Sequence, residues 1–385
     1  MDNRKRIVLS GVNCVSGGIL GVFQEALHSV VHEHGDEHEV IAIVHRRDLF
    51  DVENATYLEF PKVKSSWTRR LWFEYKTLSE ISKQLRPKLW LSMHDMTPSV
   101  DADVRAVYCH NSTPFYPFHL RDALLDVKFG LFTLFYRHLY EINIRKNQFV
   151  IVQQDWIRKE FQRAYGIRNV IVAHPTVNAF SVVAGEEGRQ RSLSYRMFYP
   201  SFPRTFKNFE VILAAARILE NSGFAGFELW LTLDGSENRY AAQIKRKYGE
   251  LRSVRWLGLL SRQKVFELYE KADCLIFPSR LETWGLPITE FKATGKPVLA
   301  ADLPYAHETV GNYDLSAFFD PDDPARLAEM MRRASTREAV FAQTHCQEPA
   351  MPYVRNWNEL WRFLLGDRNH ASSSYSRKSM QELEQ

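Results

Sequence analysis

Paired cysteines are missing from this sequence, and so is any metal-binding cysteine pattern. Among 385 residues there are four cysteines, Cys14, Cys109, Cys274 and Cys346, far apart and never in a CxxC pair. That spacing argues against a disulfide framework and against a cysteine zinc site. Three of the four stand in apolar surroundings, as buried reduced thiols do. Long hydrophobic runs are lacking too. No apolar stretch approaches ~20 residues, so no membrane-spanning helix is expected. A secretory apolar core is absent at the start, because residues 7–9 are followed at once by Ser10 and Gly11, and the expected location is the cytoplasm. An excess of one charge is also absent. Lys plus Arg number 50 against 46 Asp plus Glu, a net charge of +4. That is unlike the dense basic stripe of a nucleic-acid binder, and no nucleic-acid partner is expected.

What is present is ordinary in bulk. Hydrophobic residues make up 45% and charged residues 25%, which suits a globular protein able to bury sizeable cores. The length suggests two or three domains. Aromatics reach 13%, enough for aromatic cores and also for a ligand cleft or a membrane-facing surface.

Along the chain, short β-branched runs alternate with helical patterns. Strands are expected near 7–9, 40–44, 89–91, 106–109, 149–152 and 170–172, with helices near 19–34, 68–84 and 128–144. A polar stretch, 184–191, reads as a linker. The alternation then restarts, with strands near 196–199, 228–233, 254–257, 274–277 and 298–300 and helices near 208–221, 261–271 and 287–294. Short apolar strands separated by helices point to parallel βαβ units covered on both faces. Two such halves imply a cleft, and ligands bind at the carboxyl ends of parallel strands. The last part departs from that rhythm, with helices near 323–334 and 353–365 and a Ser-, Lys- and Glu-rich tail, 369–385, that reads as disordered.

One stretch carries chemistry: Pro278-Ser-Arg-Leu-Glu-Thr-Trp-Gly-Leu-Pro-Ile-Thr-Glu290. A strand runs into a loop, and Pro287 stands where a helix would begin. Gly285 lets backbone pass close to a ligand. Amides of Trp284, Gly285 and Leu286 would then face outward as an anion site, between the carboxylates Glu282 and Glu290. A diphosphate flanked by two hydroxyl-bearing sugars would use all of these at once. A glutamate near a helix start also stabilises the helix dipole without any ligand, so Glu290 alone decides little.

This string resembles the Glu-x7-Glu signature of the family-four retaining glycosyltransferases, which have the GT-B fold. Gly295-Lys-Pro-Val-Leu-Ala-Ala-Asp302 is similar to that family's next strand, and His307-Glu308 to its usual glutamate after it. Phe198-Tyr-Pro-Ser-Phe-Pro-Arg-Thr-Phe-Lys-Asn208 looks like the opening of the family's second domain. The resemblance implies an α/β protein of two doubly wound Rossmann-like domains with parallel sheets facing a central cleft. It implies a sugar-nucleotide-dependent enzyme in which Glu282 faces the donor sugar, Glu290 holds the ribose and the amides near Gly285 bind the diphosphate. Lys207 falls at the family's phosphate lysine. The usual Gly-Arg is Ser201-Phe202 here, a departure that leaves Arg204 as a shifted source of charge. Trp256-Leu-Gly258 looks like the segment beside the base, with Leu259 as a wall, and Asp234-Gly235 like an earlier turn. In the first domain, Ser16-Gly17-Gly18 stands where the family has its Gly-rich loop, so Gly17 and Gly18 are candidates near the phosphate. His110 stands where the family often places a histidine on the transferred sugar, and His94-Asp95 competes for that role.

The domains expected on this reading are 1–184 on the acceptor side, 192–350 for the nucleotide sugar, and a helix at 351–368 crossing back to the first. The expected reaction transfers sugar from a nucleotide-diphosphate donor to a glycan or lipid-linked acceptor with retention of configuration. No cofactor and no metal is implied. No Asp-x-Asp stands beside the donor motifs, Asp101-Ala-Asp103 lying in a first-domain loop, and Lys207 can supply the charge. A sugar-nucleotide epimerase and a non-catalytic nucleotide-sugar-binding protein share the same site features. A nicotinamide oxidoreductase does not, because 11–18 lacks G-x-G-x-x-G and His45 follows the second strand where an acid would stand. Residues 67–75 and 115–145 mix aromatics with cations. They suit either peripheral contact with the inner membrane face, fitting a lipid-linked acceptor, or core helices with snorkelling arginines, and the second is the simpler.

Overall fold

The computed structural model describes residues 5–117, 119–175, 194–338, 340–344 and 346–366. The expected linker at 184–191 and the expected tail at 369–385 lie outside them. The chain divides into two compact units, one of residues 1–115, 135–176 and 349–385, the other of residues 116–134 and 177–348. Residues 116–134 thus group with the second unit, although the sequence sets them among first-unit strands.

In chain order the first half contains β1 (Lys5–Ser10), α1 (Gly17–His34), β2 (His38–Val44), β3 (Thr56–Glu59), α2 (Trp67–Trp72), α3 (Leu78–Leu85), β4 (Leu89–Ser92) and β5 (Val104–Cys109). It continues with α4 (Leu120–Leu125), α5 (Val127–Glu141), β6 (Phe149–Val152), α6 (Asp155–Tyr165) and β7 (Val170–Ala173). The second half runs β8 (Tyr195–Tyr199), α7 (Phe209–Asn221), β9 (Phe227–Leu231), α8 (Arg239–Tyr248), β10 (Val254–Trp256), α9 (Arg262–Lys271), β11 (Cys274–Phe277) and α10 (Leu286–Lys292). Then come β12 (Val298–Ala301), α11 (Pro304–Val310), β13 (Ser316–Phe319), α12 (Pro324–Ser335), β14 (Tyr353–Val354) and α13 (Trp357–Leu365).

Among the described residues the first unit holds an eight-stranded sheet in the order β14-β7-β6-β5-β4-β1-β2-β3, and the second a six-stranded sheet, β10-β9-β8-β11-β12-β13. All neighbours pair in parallel. Strands such as β4, β11 and β12 are buried along their whole length. That is why they read as continuous apolar runs and not as alternating ones. In each sheet the winding direction reverses once, between β1 and β4 and between β8 and β11. Loops at the carboxyl ends of those pairs part there and leave room for a ligand.

The expected helix 68–84 is one continuous helical stretch from α2 to α3, with a π-helical turn at Phe73–Thr77 between them. The wider turn carries Glu74 inward, where it is buried. The chain leaves α3 through Arg86 in the left-handed region, φ 46°, just before Pro87, which cannot extend a helix. At the other end, the expected helix 353–365 is a two-residue strand, β14, followed by α13. Asn356 caps α13 by accepting from the Glu359 amide at 2.9 Å. α13 buries Trp357, Leu360, Trp361 and Leu364 in the same core as Phe23, Ala26, Leu27 and Val30 of α1. The Trp361 Nε1 donates to Ser29 Oγ at 3.1 Å. The last described helix of the chain therefore completes the first unit.

Candidate functional site

In the second unit the reversal between β8 and β11 brings together two loops that are about 75 residues apart in sequence. The β8 loop ends in Lys207 and the β11 loop carries Glu282. Lys207 Nζ donates to Glu282 Oε1, and both side chains are largely buried. Charges removed from water in this way are retained only when paired. The two loops are also joined by backbone, the Arg280 amide donating to the Phe206 carbonyl at 2.7 Å.

Beyond Glu282 the chain turns through Gly285, which precedes α10 with φ 87°. A Cβ there would meet nothing closer than 3.5 Å, so the requirement for glycine is the backbone conformation and not space. Leu286 and Pro287 are the first helical residues. Trp284 is a candidate ligand residue by sequence, but its indole is buried and donates to Thr289 Oγ1 at 2.9 Å. Its contribution to a ligand is confined to the backbone. One α10 turn on, Glu290 is buried with both oxygens engaged. It accepts from Tyr269 OH at 3.0 Å and pairs with Arg262 at 2.8 Å. Burial, with the Glu290 carboxylate beside it, pushes the Tyr269 hydroxyl well above the usual phenol range, so Tyr269 remains a donor.

The remaining second-unit candidates divide. Ser201 is fixed by its neighbour strand, its amide donating to Thr232 Oγ1 at 2.8 Å, and Phe202 is exposed. Arg204 donates to Asp126 and its guanidinium lies 5.5 Å from the Phe202 ring centroid. Arg204 is thus paired with Asp126, as Lys207 is with Glu282. Leu259 is exposed in the loop after β10. Beside it a Cβ on Gly258 would meet Asp234 Oδ2 at 3.0 Å, so the two turns singled out in the sequence abut.

Two residues that sequence reasoning missed hold the β11 loop from behind. Tyr305 OH donates to the Ser279 carbonyl at 2.6 Å, and Thr309 Oγ1 donates to the Trp284 carbonyl. Both sit on α11, one turn apart. Nothing in their local sequence marks them, because the partners are carbonyls about 25 residues away. Lys292 closes the same helix by donating to the Thr309 and Val310 carbonyls, each at 2.7 Å, and burial pulls its pKa down to about 8.

In the first unit the candidates lie at the carboxyl ends of β1, β4 and β5. Gly17 and Gly18 form the first turn of α1, two residues earlier than the helix expected from residue 19. Gly17 has φ 66°, and both are exposed. His110 follows β5 and is buried, its ring 4.6 Å from that of Tyr108. Burial pulls its pKa down to about 4 against the opposing pull of Asp95. His94 is locked: Nδ1 lies 3.1 Å from the Ser10 carbonyl and Nε2 2.7 Å from Glu74 Oε1, with Arg70 3.8 Å from the same oxygen. Both ring nitrogens of His94 are thus committed. Asp95 is a support as well. It accepts from the His110 amide at 2.6 Å, the Asn111 amide at 3.0 Å and Tyr140 OH at 2.9 Å, and so fixes the loop that carries His110.

Among the described residues no group of His, Cys, Asp or Glu is arranged to hold a metal ion, and no helix is long and apolar enough to cross a membrane.

Known proteins share this architecture. Residues 184–344 match the family model described as glycosyl transferases group 1. The chain is 22% identical over 309 residues to the O-antigen chain mannosyltransferase RfbU of Salmonella typhimurium, covering 77% of this chain and 81% of that one. Its fold is similar to that of a glycosyltransferase from Rickettsia africae, with TM-score 0.62 and 16% identity over 87% of this chain and 89% of that one. It is also similar to Anabaena Alr3699/HepE in complex with UDP-glucose, with TM-score 0.57 and 15% identity over 86% and 89%. The two parallel sheets are those of the GT-B fold.

Proposed function

We propose that this protein, whose residues 184–344 match the family model of the group 1 glycosyl transferases, moves a sugar from a nucleoside-diphosphate sugar to a glycan or lipid-linked acceptor, with retention of configuration. The observation that carries the reading is the Lys207–Glu282 pair at the reversal of the second sheet, with the buried carboxylate of Glu290 in the helix that follows the Glu282 loop.

In this reading Glu290 accepts hydrogen bonds from the ribose hydroxyls, and Tyr269 and Arg262 hold it for that purpose. Backbone at Trp284, Gly285 and Leu286 approaches the diphosphate, and Leu259 forms a wall for the base. Lys207 meets the negative charge that grows on the leaving phosphate; a preorganised cation of this kind is worth about 10²–10³ in rate. Arg204, already paired with Asp126, is left out of that task. Glu282 accepts hydrogen bonds from the donor sugar, and its pairing with Lys207 holds both in position before substrate arrives.

In the first unit, Gly17 and Gly18 leave backbone room after β1, and His110, neutral at physiological pH, hydrogen-bonds a sugar hydroxyl without adding charge. The bond from the sugar's anomeric carbon to the phosphate oxygen breaks, and the acceptor oxygen attaches on the same face. The acceptor proton passes to the departing phosphate oxygen. This route needs neither a carboxylate nucleophile nor a metal.

RfbU is named an O-antigen chain mannosyltransferase and HepE holds UDP-glucose. Mannose and glucose donors are therefore the first to test, and a growing surface polysaccharide is the acceptor class we favour. The test is transfer of labelled sugar from GDP-mannose or UDP-glucose into lipid-extractable or polymeric product, with and without chelator. Acceptor-dependent transfer that persists in chelator and falls about 10²-fold or more in Lys207→Ala is expected. Turnover of donor without acceptor into an isomeric sugar nucleotide would instead identify an epimerase.

A further inference from the structure

Two surfaces of this protein expose apolar side chains that its core does not use. The first is the turn of α2. Trp72 is 68% and Trp67 51% exposed, whereas Phe73, next in sequence, is buried. Around them Lys62, Lys64, Arg69 and Lys76 are exposed. The segment 61–76 has one acid, Glu74, which is turned inward to Arg70 and His94. The outward face therefore carries two indoles and four cations, one of which, Lys76, lies 3.7 Å from the exposed Glu80 carboxylate.

The second surface is a stripe on α4 and the start of α5. Leu120, Leu124, Val127, Leu131 and Leu134 recur at helical spacing and are all exposed. The opposite side of α5 is already used: Phe129 and Thr133 are buried, Phe129 against Phe206. An α-helix apolar on both sides has a second partner to satisfy.

We propose that the α2 turn docks this protein on an anionic lipid bilayer; the α4–α5 stripe belongs to the other unit and is tested by itself. Indoles favour the interface between headgroup and acyl chain, and lysine and arginine beside them meet anionic headgroups. A second copy of the chain is a poorer occupant for the α2 turn, because symmetry would bring four cations against four cations. The inference does not depend on the sugar chemistry proposed above, since lipid binding is read without donor or acceptor.

The test is co-flotation of the full-length protein with vesicles of phosphatidylcholine alone and of phosphatidylcholine mixed with phosphatidylglycerol, run beside light scattering of the free protein. Binding to the mixed vesicles, weak on neutral ones and reduced at ~1 M salt, is expected. Replacing two of the four cations, as in Lys64→Gln/Arg69→Gln, should weaken it about 30-fold, a factor of about five for each. Trp67→Ser/Trp72→Ser should weaken it without lowering the melting temperature, since both side chains are solvent-exposed, and Leu124→Ser/Leu131→Ser reads the stripe separately. Absence of wild-type binding to anionic vesicles, or binding unmoved by both α2 double variants, overturns the proposal. So does a dimer dispersed by Leu124→Ser/Leu131→Ser with no vesicle binding, which would assign the stripe to a second copy.

Discussion

His110 is the residue whose chemistry departs furthest from what its type suggests. A histidine at a strand end beside Asn and Ser invites a reading as a proton carrier, yet burial lowers its pKa to about 4. The folded protein thus favours the neutral ring, while the unfolded chain binds a proton near pH 6.5. Stability is unaffected by this group above that value and falls as pH drops from about 6.5 to about 4. The full cost is about 3 kcal/mol, because each pH unit in that interval is worth about 1.36 kcal/mol. His110→Asn should remove that part of the acid destabilisation, which denaturant titrations at pH 7 and pH 4.5 would detect as a smaller difference between the two. An equal pH dependence in both proteins would show that the ring protonates freely. Lys207 and Glu282 behave differently. Each is held by the other, and the pair was invisible locally because its members stand on loops of different strands.

At the scale of elements, α11 is a short helix whose task is to hold another element's loop. Tyr305 and Thr309 take the Ser279 and Trp284 carbonyls, and Lys292 secures the helix end. Loss of either hydroxyl should cost about 1 kcal/mol of stability. If the loop is the donor site, it should also loosen nucleotide-sugar binding roughly tenfold, because backbone displaced by a fraction of an ångström no longer meets the diphosphate. Thr309→Val and Tyr305→Phe would be titrated with donor by calorimetry, with Thr309→Ser as the conservative control expected to restore affinity. Stability lost with affinity intact would leave α11 a purely structural support.

The same scale explains what could be read in advance. β8, β11 and β12 were legible because strands buried on both faces announce themselves as apolar runs. β3 and β13 were not: β3 is a half-exposed four-residue edge strand, and β13 follows a stretch without helical periodicity. The loop from Glu282 to Glu290 was legible as chemistry because its charges and glycine are local. Asp95, Glu74, Tyr305 and Thr309 act across long sequence separations, and a single sequence carries no trace of such pairings.

For the whole molecule, the parallel winding of the two sheets decides where function can sit. One reversal in each sheet parts the loops at the carboxyl ends, and the candidate residues cluster at or beside those ends: Gly17, Gly18 and His110 in one unit, Lys207, Glu282, Leu259 and Glu290 in the other. The departure at Ser201-Phe202 belongs to this scale too. Arg204 pairs with Asp126 there, and Lys207 is the cation proposed for the donor site. The most direct test of the central claim is therefore calorimetric titration of the intact protein with a panel of UDP-, GDP-, dTDP-, ADP- and CMP-sugars. One or two donors should bind the wild-type protein. That binding should weaken at least about tenfold in both Glu290→Gln and Lys207→Ala, with the melting temperature of the wild-type complex raised by mass action. Folded protein that binds no donor in the panel, or whose binding survives both substitutions unchanged, would contradict the assignment of residues 278–295 as the donor site.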